Sequence, residues 1–166
     1  TIGVGGKTAA EALATLVDMS AEMQPIKLAE YQQRITRACQ FMQQQQLAAV
    51  YLNAGTNLHY FTGTVWYASE RLVGAILTAS GELHYIAPVF ELGTLAQYWQ
   101  VPGQVHGWQE DESPYVLCLE VLRAAGIDAS QRIGLDESCA FFISDGLRQA
   151  SPEQPWCSAK AVTAGC

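Results

Sequence analysis

The sequence predicts an α/β sandwich built on a mixed β-sheet, and three observations carry that expectation. Short apolar runs bounded by turn residues alternate with segments whose apolar residues recur every three or four positions, the pattern of strands separated by helices. Two of the runs are joined by Ser80-Gly81, a hairpin that brings antiparallel pairing into a sheet otherwise linked by crossovers. The chain has 166 residues, 49% of them hydrophobic. That suffices for one domain burying about 70% of its unfolded surface without disulfides or metals.

Residues 1–26 read as an N-terminal tail or short helix followed by a linker. The helical stretch runs from Thr8 to about Met19, and Ser20 to Pro25 forms the linker. The domain proper spans 27–166. Leu28, Tyr31, Ile35, Ala38 and Met42 recur at spacings of three and four and predict one face of a helix from about Lys27 to Gln46. Ala48-Ala49-Val50-Tyr51-Leu52 is uninterrupted and apolar, as expected of a strand buried on both faces.

The run Asn57-Leu58-His59-Tyr60-Phe61-Thr62-Gly63 predicts a polar-capped turn. Asn57 would bond the turn backbone and Tyr60 and Phe61 would bury apolar area, while Gly63 admits a conformation closed to other residues. Leu72 to Leu77 and Leu83 to Ala87 are the hairpin strands, with His84 facing the side opposite Leu83 and Tyr85. Pro88 should end the second of them and start a helix reaching about Tyr98, before a strand at Gln104 to Gly107.

Ser113 is placed to cap a helix that has Pro114 in its first turn and Gly126 at its end. Apolar residues surround that helix, which predicts burial on more than one side. Ile133-Gly134-Leu135 is a further strand. Ser138 could cap a helix from Ala140 to Ala150 ended by Pro152, and Trp156-Cys157-Ser158 suits an edge strand.

Composition excludes several functions. A net charge of −7 with nine lysines and arginines speaks against nucleic acid, whose phosphates need clustered cations. No apolar run approaches the roughly 20 residues of a membrane span, so no membrane partner is expected. Five cysteines in odd number, with no C-x-x-C pair, fit a reducing, cytoplasmic setting, with Cys118 a small buried hydrophobe. Gly3 to Thr8 lacks the first glycine and preceding strand of a phosphate loop. Thr1 to Leu16 loosely resembles the end of an export signal, but Lys7 and Glu11 interrupt its apolar character. His59, His84 and His106 have no metal-ligand spacing, and no G-x-S-x-G elbow is present. The acidic run Glu110-Asp111-Glu112 reads as a solvated loop.

The loop after Gly63 is richer. Trp66 and Tyr67 lie in a stretch without helical or strand period, and Arg71 adds a planar fork able to hold a carboxylate. Either the loop packs onto its own domain or it is an interface, since Trp, Tyr and Arg dominate hot spots.

The Asn57–Gly63 run resembles a signature of the N-terminal domain of the creatinase/prolidase/Xaa-Pro aminopeptidase family. The resemblance extends from about Lys27 to Ala164. It takes in the helix with Tyr31 and Arg34, the strand Ala48 to Leu52, the hairpin and Ile133-Gly134-Leu135-Asp136. It implies a three-layer sandwich, a mixed sheet flanked by helices with a ribonuclease H-like motif. It also implies a non-catalytic domain that builds oligomers, a homodimer in the parent enzyme, and covers or completes a partner subunit's active site. Catalysis would belong to a C-terminal pita-bread domain beyond Cys166, holding two divalent ions (Mn, Co or Zn) on Asp, Asp, His, Glu and Glu, although creatinase itself works without metal. No catalytic residue, metal ligand or cofactor is then expected in this chain. Trp66, Tyr67 and Arg71 become candidates for substrate contact or interface. Arg71 stands at the arginine position of creatinase-like members, whereas Ser69 replaces their aromatic residue, against creatine specificity. Two other classes remain open: a stand-alone binding module of the same fold, and an independent α/β enzyme using Cys and His.

Overall fold

A computed structural model describes residues 4–166; Thr1 to Gly3, on which the phosphate-loop and export readings partly fall, lie outside the described residues. Six strands form one mixed sheet: β1 (Leu47–Asn53), β2 (Gly74–Thr78), β3 (Leu83–Pro88), β4 (Gln104–Trp108), β5 (Arg132–Leu135) and β6 (Trp156–Ser158). Their spatial order is β4-β3-β2-β1-β5-β6. The hairpin sets β2 antiparallel to β1 and β3, while β4, β5 and β6 each run parallel to a neighbour. The sequence expectation of a mixed sheet flanked by helices is met.

The helices are α1 (Ala9–Ala14), α2 (Leu28–Gln44), α3 (Thr56–Thr62), α4 (Leu92–Leu95), α5 (Pro114–Ala124), α6 (Phe141–Ala150) and α7 (Lys160–Thr163). They form two layers because strand side chains alternate. Val50 and Leu52 of β1 face a core with Tyr31 and Met42 of α2, Phe61 of α3 and Val162 of α7. Ala49 and Tyr51 face the opposite core, with Val121 and Leu122 of α5 and Ile143 and Leu147 of α6. Strand β1, in the middle of both, is buried along nearly its whole length.

Several local expectations are corrected. The Asn57–Gly63 run is not a turn but most of helix α3, ended by Gly63 in the left-handed region at φ 73°. Ser138 does not cap α6, whose N-cap position is Ala140 without a side-chain bond; its amide and hydroxyl both donate to Asp136. Pro88 stays in β3, and the expected helix breaks into a 3₁₀ turn, Val89–Glu91, and the single turn α4. Gly93 lies inside that short helix and weakens it. Helix α5 buries one face, through Cys118, Val121 and Leu122, and leaves Val116 47% exposed. It lies on the outside of the sheet, so its outer side meets water. In α2 the buried stripe includes Arg34, while Leu28 is 43% exposed.

Candidate functional site

The aromatic–arginine loop begins from a rigid base. Arg34, buried in α2, donates from Nη1 to the Tyr60 carbonyl at 2.8 Å, pairs with Glu30, and lies over the Tyr60 ring at 4.2 Å. This joins the end of α3 to α2, and Glu30 to Arg34 is the i,i+4 spacing that helices favour. Thr62 Oγ1 donates to the Leu58 carbonyl at 2.6 Å, and Gln100 and Val101 amides donate to the Thr62 carbonyl. At Gly63 a Cβ would sit 2.5 Å from Gln100 Cγ and 3.0 Å from Tyr31 Cζ. Both the positive φ and the close approach therefore require glycine. Of the two motif aromatics, Phe61 is fully buried and Tyr60 half-buried, their rings edge-on at 5.0 Å.

Asn57 serves a different purpose from the one expected. Its amide donates to Asp136 Oδ1 at 2.9 Å, 79 residues away in sequence. Asp136 is a buried carboxylate at the end of β5 and also accepts from the Asn53 amide at 3.0 Å. The motif thus ties the ends of two adjacent parallel strands, β1 and β5, to α3. A charge taken out of water must find such donors.

Beyond Gly63 the chain turns outward. Trp66 is half-buried against the core and meets the Tyr98 ring edge-on at 6.2 Å, whereas Tyr67 is 84% exposed. Trp66 therefore packs onto its own domain and Tyr67 does not. Arg71 is held by acids of its own chain. Nε and Nη2 donate to Glu110 at 3.0 and 3.3 Å, Nη1 pairs with Glu70, and the guanidinium lies 5.5 Å from the Phe90 ring. The hydrogen bonds it donates to Glu110 raise its pKa. The acidic run is thus more than a solvated loop, since Glu110 occupies the fork. Nothing in the sequence announces a contact across 39 residues. Glu91 beside this group has its carboxyl pushed up by burial, against the pull of Arg71.

The described histidines and cysteines include one close pair and four thiols shifted by burial. His84 and His106 pair with each other, Nδ1 to Nε2 at 3.1 Å, on adjacent strands β3 and β4. All five cysteines are free thiols. Burial pushes the Cys39 and Cys166 thiols up, Cys139 up to about 12, and Cys118 higher still. Such thiols are poor nucleophiles. A shallow cavity of about 310 Å³ lined by Asp136, Cys139, Ser144, Arg148 and Trp156 lies where β5 and β6 end. Burial first, and then the charges of Asp136 and Glu137, disfavour the Cys139 thiolate there. Among the described residues, no group of three or more His, Cys, Asp or Glu could hold a metal ion, and no helix is long and apolar enough to cross a membrane.

Comparison with known proteins matches residues 34–166 to the family described as the Creatinase/Prolidase N-terminal domain. Among solved structures, the chain resembles dipeptidase PepE from Mycobacterium ulcerans, at 26% identity and a TM-score of 0.73, over 86% of this chain and 38% of that one. A prolidase from Thermococcus sibiricus matches at 20% identity and a TM-score of 0.70, over 81% and 36%. The creatinase/prolidase N-terminal domain of an X-Pro dipeptidase from Streptococcus pyogenes matches at 14% identity and a TM-score of 0.64, over 81% of this chain and 99% of that one. The chain thus spans little more than a third of the length of the first two. No curated protein matches it.

Proposed function

Because the chain belongs to the creatinase/prolidase N-terminal domain family, we propose that it is the non-catalytic N-terminal domain of an Xaa-Pro dipeptidase- or aminopeptidase-like hydrolase. It acts in oligomerisation and in covering or completing the active site of a partner subunit. The divalent ions of such an enzyme belong to a catalytic domain outside these residues. One observation carries the reading: Tyr67 stands 84% exposed, on a loop whose root is fixed by Gly63 and Arg34. A large aromatic held out from a rigid base loses little conformational freedom on docking.

The test compares Tyr67→Ala with wild type in the enzyme carrying both domains. An interface aromatic of this kind contributes on the order of 2 kcal/mol, so kcat/KM toward Xaa-Pro dipeptides should fall about thirtyfold with an unchanged melting temperature. The 166-residue chain alone should show no turnover with Mn²⁺ or Co²⁺ added. Wild-type kinetics in Tyr67→Ala, or turnover by the chain alone that survives repurification, would overturn the proposal.

A further inference from the structure

Strand β4 lies at the edge of the sheet and pairs with β3 alone. A histidine pair joins the two. In the register His84 of β3 stands opposite Ile76 of β2, and His106 of β4 opposite Ile86, so both rings share one sheet face with Ile76, Ile86 and Trp108. His84 Nδ1 and His106 Nε2 are 3.1 Å apart, a separation at which one ring donates and the other accepts a single hydrogen. His84 is 4% exposed, and its Nε2 is buried without a hydrogen-bond partner. A carboxylate oxygen of Glu82, two residues earlier in the chain, stands 3.9 Å from that nitrogen.

Successive protons therefore act differently on the pair. The first makes His84 a donor from both ring nitrogens, one toward His106 and one toward Glu82. The second turns both rings into donors, and two cations then face each other across the same gap. The charges that act on the pair are that of Glu82 on His84 and that of His84 on His106, while burial opposes protonation of both. Their strand neighbours Ile76 and Gln104 are uncharged. Helix α5, which packs on β3 and β4, carries Glu120 and Arg123. Glu120 is exposed and lines a hollow with Glu112 and Gly107, and Arg123 donates to the Ile127 carbonyl and to Gln154.

Beyond the pair, the same strand holds the end of the aromatic–arginine loop. Trp108, the last residue of β4, donates its indole N–H to the Leu72 carbonyl at 3.2 Å, and Glu110 just after it grips Arg71. We infer that His84 and His106 form an acid-released clasp: double protonation parts β4 from β3 and frees Leu72 and Arg71 from Trp108 and Glu110. The clasp lies wholly within this chain and does not depend on the partner-subunit reading above.

Hydrogen exchange followed by NMR at pH 7.5 and 5.5, corrected for the intrinsic pH dependence of exchange, tests the clasp. A histidine of open-state pKa about 6.5 that stays neutral in the closed strand raises opening about tenfold at pH 5.5, and a second raises it further. Protection of the β4 amides and of the Trp108 indole N–H should therefore fall at least tenfold on acidification, while the β1 amides keep theirs. His106→Gln removes the second cation and should lose at least threefold less protection than wild type. Glu82→Gln removes the carboxylate that favours the His84 imidazolium and should lose more than wild type. If His106→Gln does not fold, the wild-type and Glu82→Gln profiles decide the matter. Protection of β4 that ignores pH, or a fall shared equally by β1, overturns the inference. So does a loss in His106→Gln equal to that of wild type, a loss in Glu82→Gln no deeper than that of wild type, or an indole that stays protected while β4 opens.

Discussion

Replacing Asp136 by alanine takes away one buried carboxylate and four hydrogen bonds together. The acceptor oxygens receive the Asn53 amide at 3.0 Å, the Asn57 side-chain amide at 2.9 Å, and the Ser138 amide and hydroxyl at 2.7 and 2.6 Å. Ser138 is exposed, so its two donors recover water at little cost. The Asn53 amide is buried and Asn57 half-buried. An orphaned buried donor costs about 1–3 kcal/mol, and a lost hydrogen bond to a charged group about 1.5–3 kcal/mol. With the carboxylate's own desolvation removed in the variant, the net loss should be about 3–4 kcal/mol. At roughly 2–4 °C per kcal/mol for a chain of this size, the melting temperature should fall about 10 °C. Urea unfolding followed by tryptophan fluorescence measures the loss directly. Asp136→Asn keeps one carbonyl acceptor and should lose about half as much. If Asp136→Ala loses less than about 1 kcal/mol, the carboxylate does not join β1, β5 and α3 as argued.

Two further perturbations test other parts of the fold. Gly63→Ala combines a strained φ with a Cβ 2.5 Å from Gln100 Cγ; the urea midpoint should drop by the equivalent of about 2 kcal/mol, and an unchanged midpoint would refute the tight packing at the loop root. Burial holds the His84 and His106 pKa values below the ordinary histidine range, with Glu82 opposing this at His84 and His84 adding to it at His106. Because the folded values lie below the unfolded value of about 6.5, the neutral forms stabilise the fold. That contribution is complete above pH 6.5 and is lost as pH falls through the folded values. The urea midpoint should therefore decline from pH 7 to 5, and less so in His84→Asn; a midpoint that rises over this range contradicts the assignment.

The order and type of most elements were legible because each is coded locally. The spacing in α2, the unbroken apolar run of β1 and the Ser80-Gly81 hairpin all appear in windows of a few residues. So does the pair Ser113-Pro114, where the Ser113 hydroxyl accepts from the Val116 amide as expected. Helix α3 is not legible in the sequence because seven residues give too little of a 3.6-residue period to separate a helix from a turn. Its stability comes from Arg34 and Asp136, neither of them its neighbour in sequence.

The sequence by itself determined that the chain builds a mixed, helix-covered sheet and which family it joins. Those properties follow from patterning and from a motif whose residues lie side by side. Only the tertiary structure decided what the singular polar residues do. Asn57 turned from its own turn to Asp136, Ser138 from a helix cap to the same carboxylate, and Arg71 from an open fork to one filled by Glu70 and Glu110. A buried or half-buried polar group must satisfy its bonds from whatever donors and charges folding brings within about 3 Å, and the partners of Asn57 and Arg71 lie 79 and 39 residues away. No local pattern encodes such distances.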